Sequence, residues 1–100
     1  MPILSREDAA ESIKRILDHP VGRLMPVWSH LSLRGQQRDF DIVDIEYVFQ
    51  DFDVVSEPEY HAAHHNWRCK VRGKDPEGDT LTVLVGISEE ELTITVITAW

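Results

Sequence analysis

The sequence predicts an α+β fold in which two or three N-terminal helices pack on one face of a three- to four-stranded antiparallel sheet. Three observations lead to it. Apolar residues recur at helical spacing through the first half of the chain, the apolar period falls to two from Val54 onward, and turn-forming clusters at 74–79 and 88–91 cut the second half into strand-length pieces. A sheet with one greasy face needs a cover, and the upstream helices supply it. The division runs between a helical half, residues 1–52, and a sheet half, residues 53–100, of a single domain. A chain of this length buries roughly 65% of its unfolded surface, enough for one core.

Ser5 stands three residues ahead of Asp8, a capping box with Asp where Glu is usual, and Ala9, Ala10, Ile13, Ile16 and Leu17 follow at helical spacing. The first helix therefore runs from Arg6 to Asp18. Pro20 and Gly22 close it and open a loop that holds Met25 and Pro26. Ser29 offers a second cap, ahead of a short polar helix from His30 to Arg38 interrupted by Gly35. Asp41 caps a third, whose apolar stripe is Ile42, Ile45, Val48, Phe49 and Phe52.

Val54 and Val55 begin a short strand that Pro58 ends. In the next strand Trp67, Cys69 and Val71 alternate with Arg68, Lys70 and Arg72, so that one face is buried and the other is positive. Past the turn at 74–79, Leu81, Val83, Val85 and Ile87 share one face while Thr80, Thr82 and Leu84 share the other. The last strand places Leu92, Ile94 and Val96 inward and Thr93, Thr95 and Ile97 outward.

The composition, 42% hydrophobic and 28% charged, belongs to a globular protein and is too apolar for a disordered one. One cysteine, Cys69, excludes an internal disulfide and with it the main reason to place the chain in an oxidising compartment, so the cytoplasm is the expected location. The first residues turn charged after Ser5, with no apolar run of signal-peptide or membrane-span length, and no membrane partner is expected. Eighteen acidic against ten basic residues give a formal charge of -8, which repels nucleic acid on average. Any nucleic-acid partner must therefore meet a local basic patch.

Two such patches stand out. If residues 30–38 are helical, His30, Arg34 and Arg38 line up at i, i+4 and i+8, and an imidazole beside two guanidinium groups suits a phosphate. The plain alternative is an exposed helix face paired with Asp39, Asp41 or neighbouring carboxylates. The second patch is the outward row Arg68, Lys70 and Arg72, flanked by threonines, with Trp67 or Tyr60 near enough to stack on a base. Its alternative is the solvated face of a half-covered sheet, where cations also discourage edge pairing. A third cluster, His61, His64, His65 and Cys69, has the spacing of metal ligands, but Cys69 faces the core, no fourth ligand is close, and a polar loop explains it. No metal or cofactor is expected.

The run Ser29–His30–Leu31 through Arg34 and Arg38, then 41–45 and a helix, then 66–78 from Asn66-Trp67-Arg68 to Pro76-Glu77-Gly78, and the closing Val96–Ile97–Thr98, resembles a family of small bacterial domains of unknown function. That family is similar to the RelE- and barnase-like group of metal-independent ribonucleases and toxins, whose members pack N-terminal helices on a small antiparallel sheet. The resemblance spans Leu4 to Trp100. It implies cleavage of RNA by attack of its own 2'-hydroxyl on the neighbouring phosphate, with His30 as acid or base, Arg38 and Lys70 beside the developing charge, and Arg34, Arg68, Arg72 and Thr98 holding the substrate. The partners it implies are RNA, met through the basic patch, and a cognate antitoxin-like protein or a second copy. The competing expectation is a non-catalytic interaction domain on the same fold, marked by an aromatic surface around Trp28, Tyr60 or Trp100.

Overall fold

The computed structural model describes residues 5–26 and 42–100. The predicted second helix, 30–38, and the cap at Asp41 lie outside the described residues. Helix α1 spans Arg6–Asp18 and starts as the sequence predicts: the Asp8 amide donates to Ser5 Oγ at 3.1 Å, and the Ser5 amide donates to Asp8 Oδ2 at 3.2 Å. These two bonds satisfy amides that a helix start leaves without partners. Ala9, Ser12, Ile13 and Ile16 are its buried face. The Ser12 hydroxyl donates to Glu89 Oε1, and Arg15 reaches the same carboxylate at 3.5 Å, which ties α1 to the turn at the far end of the sheet.

Strand β1, Arg23–Pro26, follows. It occupies the segment predicted as a loop and pairs parallel with the last strand, β6, Thr93–Ala99, in the register Arg23↔Thr93 to Pro26↔Val96. Four residues are too few for a readable period, and the partner lies some seventy positions away, so nothing local announces the pairing. Pro26, with no N–H to give, stands at the strand's end on the sheet's edge, where a proline is tolerated.

Helix α2 spans Ile42–Val48 and buries Ile45 and Val48. Phe49 continues its buried stripe, but Phe52 does not: after a turn closed by Gln50 N–H to the Tyr47 carbonyl and Asp51 N–H to the Val48 carbonyl, it begins strand β2, Phe52–Val54. The two rings meet edge to face at 5.6 Å, so Phe52 reaches the core from a strand instead of a helix. Strand β3, Glu59–His61, and a 3₁₀ turn, Ala62–His64, occupy the segment predicted as a polar loop. His65 ends that turn at φ 52° and sends the chain back into the central strand β4, Asn66–Lys74. Strand β5 covers Thr80–Ser88.

The sheet is mixed and six-stranded, in the order β1-β6-β5-β4-β2, with β3 also paired to β4. Only the β1–β6 pair is parallel; the antiparallel core of the prediction is β4–β5–β6, with β2 and β3 sharing the far edge of β4 end to end. Ala9, Ile13 and Ile16 of α1 and Ile45, Val48 and Phe49 after it cover the inner face, where Cys69, Val71, Leu81, Val83, Val85, Ile87, Ile94, Val96 and Ala99 are buried. Burying a side chain such as Ile13 or Val83 stabilises the fold by about 1.5–3 kcal/mol.

Two departures from strict alternation matter. Leu92, predicted inside the last strand, sits at φ 50° in the turn before it, still against the core, and its carbonyl accepts from Arg23 N–H. Between Val85↔Val96 and Leu84↔Thr98 the register slips by one, leaving Ile97 as the extra residue of a β-bulge. The slip turns Thr98 to the outer face and Ala99 inward. Helix α2 approaches β4 closely at Gly73, where an added Cβ would lie 2.8 Å from the Val48 carbonyl oxygen and 3.1 Å from that of Asp51. Gly73→Ala is therefore expected to destabilise the protein by about 1–3 kcal/mol in urea unfolding, because backbone must move; an unchanged midpoint would contradict this packing.

Candidate functional site

Directly paired residues of an antiparallel sheet share a face, so the register assembles the outer surface row by row. Arg72 lies beside Asp53 on one side and Thr82 on the other, and Thr82 exchanges both backbone hydrogen bonds with Trp100 at 2.8 Å. Lys70 lies beside Leu84, which lies beside Thr98. Arg68 lies between Glu59 and Gly86, and Gly86 beside Thr95. His61 faces Asn66 at the end of the hairpin that joins β3 to β4. Four of the seven site residues read from the sequence, Arg68, Lys70, Arg72 and Thr98, thus stand on one face. The other three, His30, Arg34 and Arg38, lie outside the described residues.

Among the described residues none of the three cations is paired with a carboxylate, and two of them are held by uncharged neighbours. Arg72 Nε donates to Thr82 Oγ1 at 3.3 Å, the Lys70 ammonium lies 5.8 Å from the centre of the Trp100 ring, and no ion pair engages Arg68, Lys70 or Arg72 among the described residues. Lys74, the next outward cation, donates to Thr80 Oγ1 at 3.0 Å. The backbone of Lys70 is pinned on the β2–β3 side, its carbonyl accepting from Val55 N–H at 2.8 Å and its N–H donating to Ser56 Oγ at 2.8 Å. That bracing fixes the middle of the row while its side chain stays exposed.

Four buried side-chain atoms have no hydrogen-bond partner among the described residues: His61 Nδ1, Asn66 Oδ1, Arg68 Nε and Thr98 Oγ1. All four belong to the outer face. Buried polar atoms are nearly always paired, so these four carry bonding capacity that no described residue takes up. Gly86 contributes by having no side chain: the Asn66 amide lies where a Cβ would be. Next to it, Ser56, Glu57, Glu59, His61, Arg68 and Lys70 border a cleft of about 450 Å³.

The sequence marks His61 only as a possible metal ligand, and Glu59 is not among the site residues it predicts. Their signal was present, since Glu59-x-His61 mirrors Asn66-x-Arg68 across a short connection, but a three-residue strand is below what alternation can establish. Partial burial, then Arg68 and His64, hold the His61 imidazole below its ordinary pKa. It stacks on His64 at 4.9 Å. Cys69 is on the opposite, buried face of β4, and burial pushes its thiol up to about 11. It is not a thiolate partner for these histidines, and among the described residues no group of three or more His, Cys, Asp or Glu side chains is placed to hold a metal ion. Nor, among those residues, is any helix long and apolar enough to cross a membrane.

Residues 28–100 match the family model described as Domain of unknown function (DUF4258). Among curated proteins and among solved structures nothing matches the chain.

The Cys69 thiol binds its proton more tightly when folded than in the unfolded chain, where its ordinary value is 9.0. Its contribution to stability is therefore full below pH 9.0 and is lost as pH rises through about 11. Unfolding free energies measured from pH 8 to 11 are expected to fall more steeply for the wild type than for Cys69→Ala; parallel curves would contradict the burial of this thiol.

Proposed function

We propose that this chain, which belongs to the family described as Domain of unknown function (DUF4258), binds single-stranded RNA across the outer face of its sheet and cleaves it without a metal, as a RelE- or barnase-like ribonuclease of bacterial toxin type. One observation carries the reading. In a chain with eighteen carboxylates and a charge of -8, the three adjacent cations Arg68, Lys70 and Arg72 have no acidic partner among the described residues. Like charges spaced along one strand repel one another, and carboxylates are abundant enough to neutralise them. A row left open instead suits a polyanion, whose phosphates repeat along a strand as these side chains do.

The chemistry follows from what a phosphodiester with a neighbouring hydroxyl needs. The 2'-oxygen attacks phosphorus, a P–O2' bond forms as the P–O5' bond breaks, the hydroxyl proton goes to a base, and an acid protonates the departing oxygen. In this reading Lys70, and with it Arg38, stabilises the charge that builds on the phosphoryl oxygens, Arg68 and Arg72, and with them Arg34, bind the flanking phosphates, and the Thr98 hydroxyl, without a partner among the described residues, orients one of them. His30 moves a proton. Trp100, with its ring exposed beside Lys70, offers a base a stacking surface.

A second reading is a non-catalytic protein-interaction domain. It is favoured by the partly exposed Tyr47, Tyr60 and Trp100 rings, and it expects neither cleavage nor binding of RNA.

With labelled single-stranded RNA in the presence of a chelator, the wild type is expected to give products ending in a 2',3'-cyclic phosphate, and His30→Ala to be slower by about 100-fold or more. Equal rates would end the role of His30. Replacing Arg68, Lys70 and Arg72 together by Gln is expected to lower the slope of log affinity against log salt by about 2, three phosphate contacts at roughly 0.7 each; an unchanged slope would remove the row from the interface.

A further inference from the structure

The cleft at the β3–β4 hairpin has a mixed chemistry that a phosphate site alone does not need. Arg68 and Lys70 bring cationic donors, while Glu57 and Glu59 bring groups that only accept. Glu57 is already engaged, with Arg6 Nε at 2.9 Å. Glu59 has no such partner among the described residues: it stands directly opposite Arg68 in the β3–β4 register, the position at which opposite charges ordinarily pair across strands, yet the two form no ion pair. Arg68 Nε and His61 Nδ1, both on the border of the same cleft, are buried without hydrogen-bond partners among the described residues. An acceptor and a donor held apart across a cleft of about 450 Å³ leave room for a group that bonds to both.

The occupant must therefore offer an anion to the cations and, beside it, a donor to the carboxylate. Inorganic phosphate as the hydrogenphosphate dianion carries one hydroxyl donor, but it brings a second negative charge beside Glu59 and meets repulsion there. A deoxyribose backbone offers the anion and no donor. A ribose backbone offers both, because its 2'-hydroxyl sits next to a singly charged phosphodiester. We propose that this cleft is a ribose-phosphate subsite, in which Arg68 and Lys70 hold one phosphodiester and Glu59 accepts a hydrogen bond from the adjacent 2'-hydroxyl, so that Glu59 sets a preference for RNA over DNA. His61, whose Nδ1 has no hydrogen-bond partner among the described residues, completes the bonding of the same nucleotide. The subsite rests on the RNA reading given above, and it explains how a positive row that any polyanion could enter selects among them.

The test is fluorescence anisotropy with single-stranded RNA and DNA of the same sequence, in the His30→Ala background so that the RNA stays intact. The parent is expected to bind RNA about tenfold or more tighter than DNA. Glu59→Ala should bring that ratio close to one while leaving DNA binding equal or tighter, since a negative charge is removed. Glu59→Gln, which keeps an acceptor, should retain most of the preference, and Arg68→Gln should weaken both ligands. A parent ratio near one, or a ratio that Glu59→Ala leaves unchanged, overturns the subsite while the RNA-binding reading stands. Absence of binding by either nucleic acid overturns both.

Discussion

The register of β4 is the constraint on which everything else in this structure depends. This strand pairs with β5 from Trp67 to Lys74 and with β2 and β3 on its other edge, so its alternation is enforced from both sides. Sliding it by one residue would exchange Cys69 and Val71 for Arg68, Lys70 and Arg72 beneath the helices. Desolvating even one unpaired cation costs several kcal/mol, a large part of a typical net stability of about 5–15 kcal/mol. The same preference that builds the core therefore fixes the positive row on the outside, and core and candidate interface are two faces of one decision.

The second shaping force is the bulge at Ile97. A regular β6 would keep Thr93, Thr95 and Ile97 on the outer face and turn Thr98 into the core, where a hydroxyl has no partner to meet. The slip places Thr98 in line with Leu84 and Lys70, and puts the small Ala99 against the helices. Bulges often re-aim a side chain in this way. Gly86 works similarly from β5, giving the Asn66 amide a place to lie and keeping the middle of the outer face shallow.

How much of this could be read from residues alone depends on how local the cause is. Helix α1 was legible to the residue because its capping box and apolar stripe are both local. The β4–β5 hairpin was legible because alternation over 67–72 and 80–87, on either side of a turn rich in Pro and Gly, assigns the faces. Strand β1 was not, since four residues gain their structure from a parallel partner far along the chain, and the same holds for β3, whose three residues read as a polar loop. Phe52 carried a helical period by coincidence of spacing with Phe49, while its burial comes from a strand. Of the candidate site, the cations on β4 and Thr98 were visible as types and placed by alternation, with the bulge doing for Thr98 what no pattern announced. Glu59 and His61 joined them only through the pairing of β3, and His30, Arg34 and Arg38 fall outside the described residues.

The measurement closest to the central claim is a map of amide and side-chain NMR shifts as single-stranded RNA is added to isotope-labelled protein. If the outer face of the sheet is the interface, the side-chain signals of Arg68, Lys70, Arg72 and Thr98 and the Trp100 indole should move together, while Ile13, Ile45 and Val83 on the buried side stay still. Shifts confined to the helices, or none at all at RNA concentrations well above the protein, would contradict it.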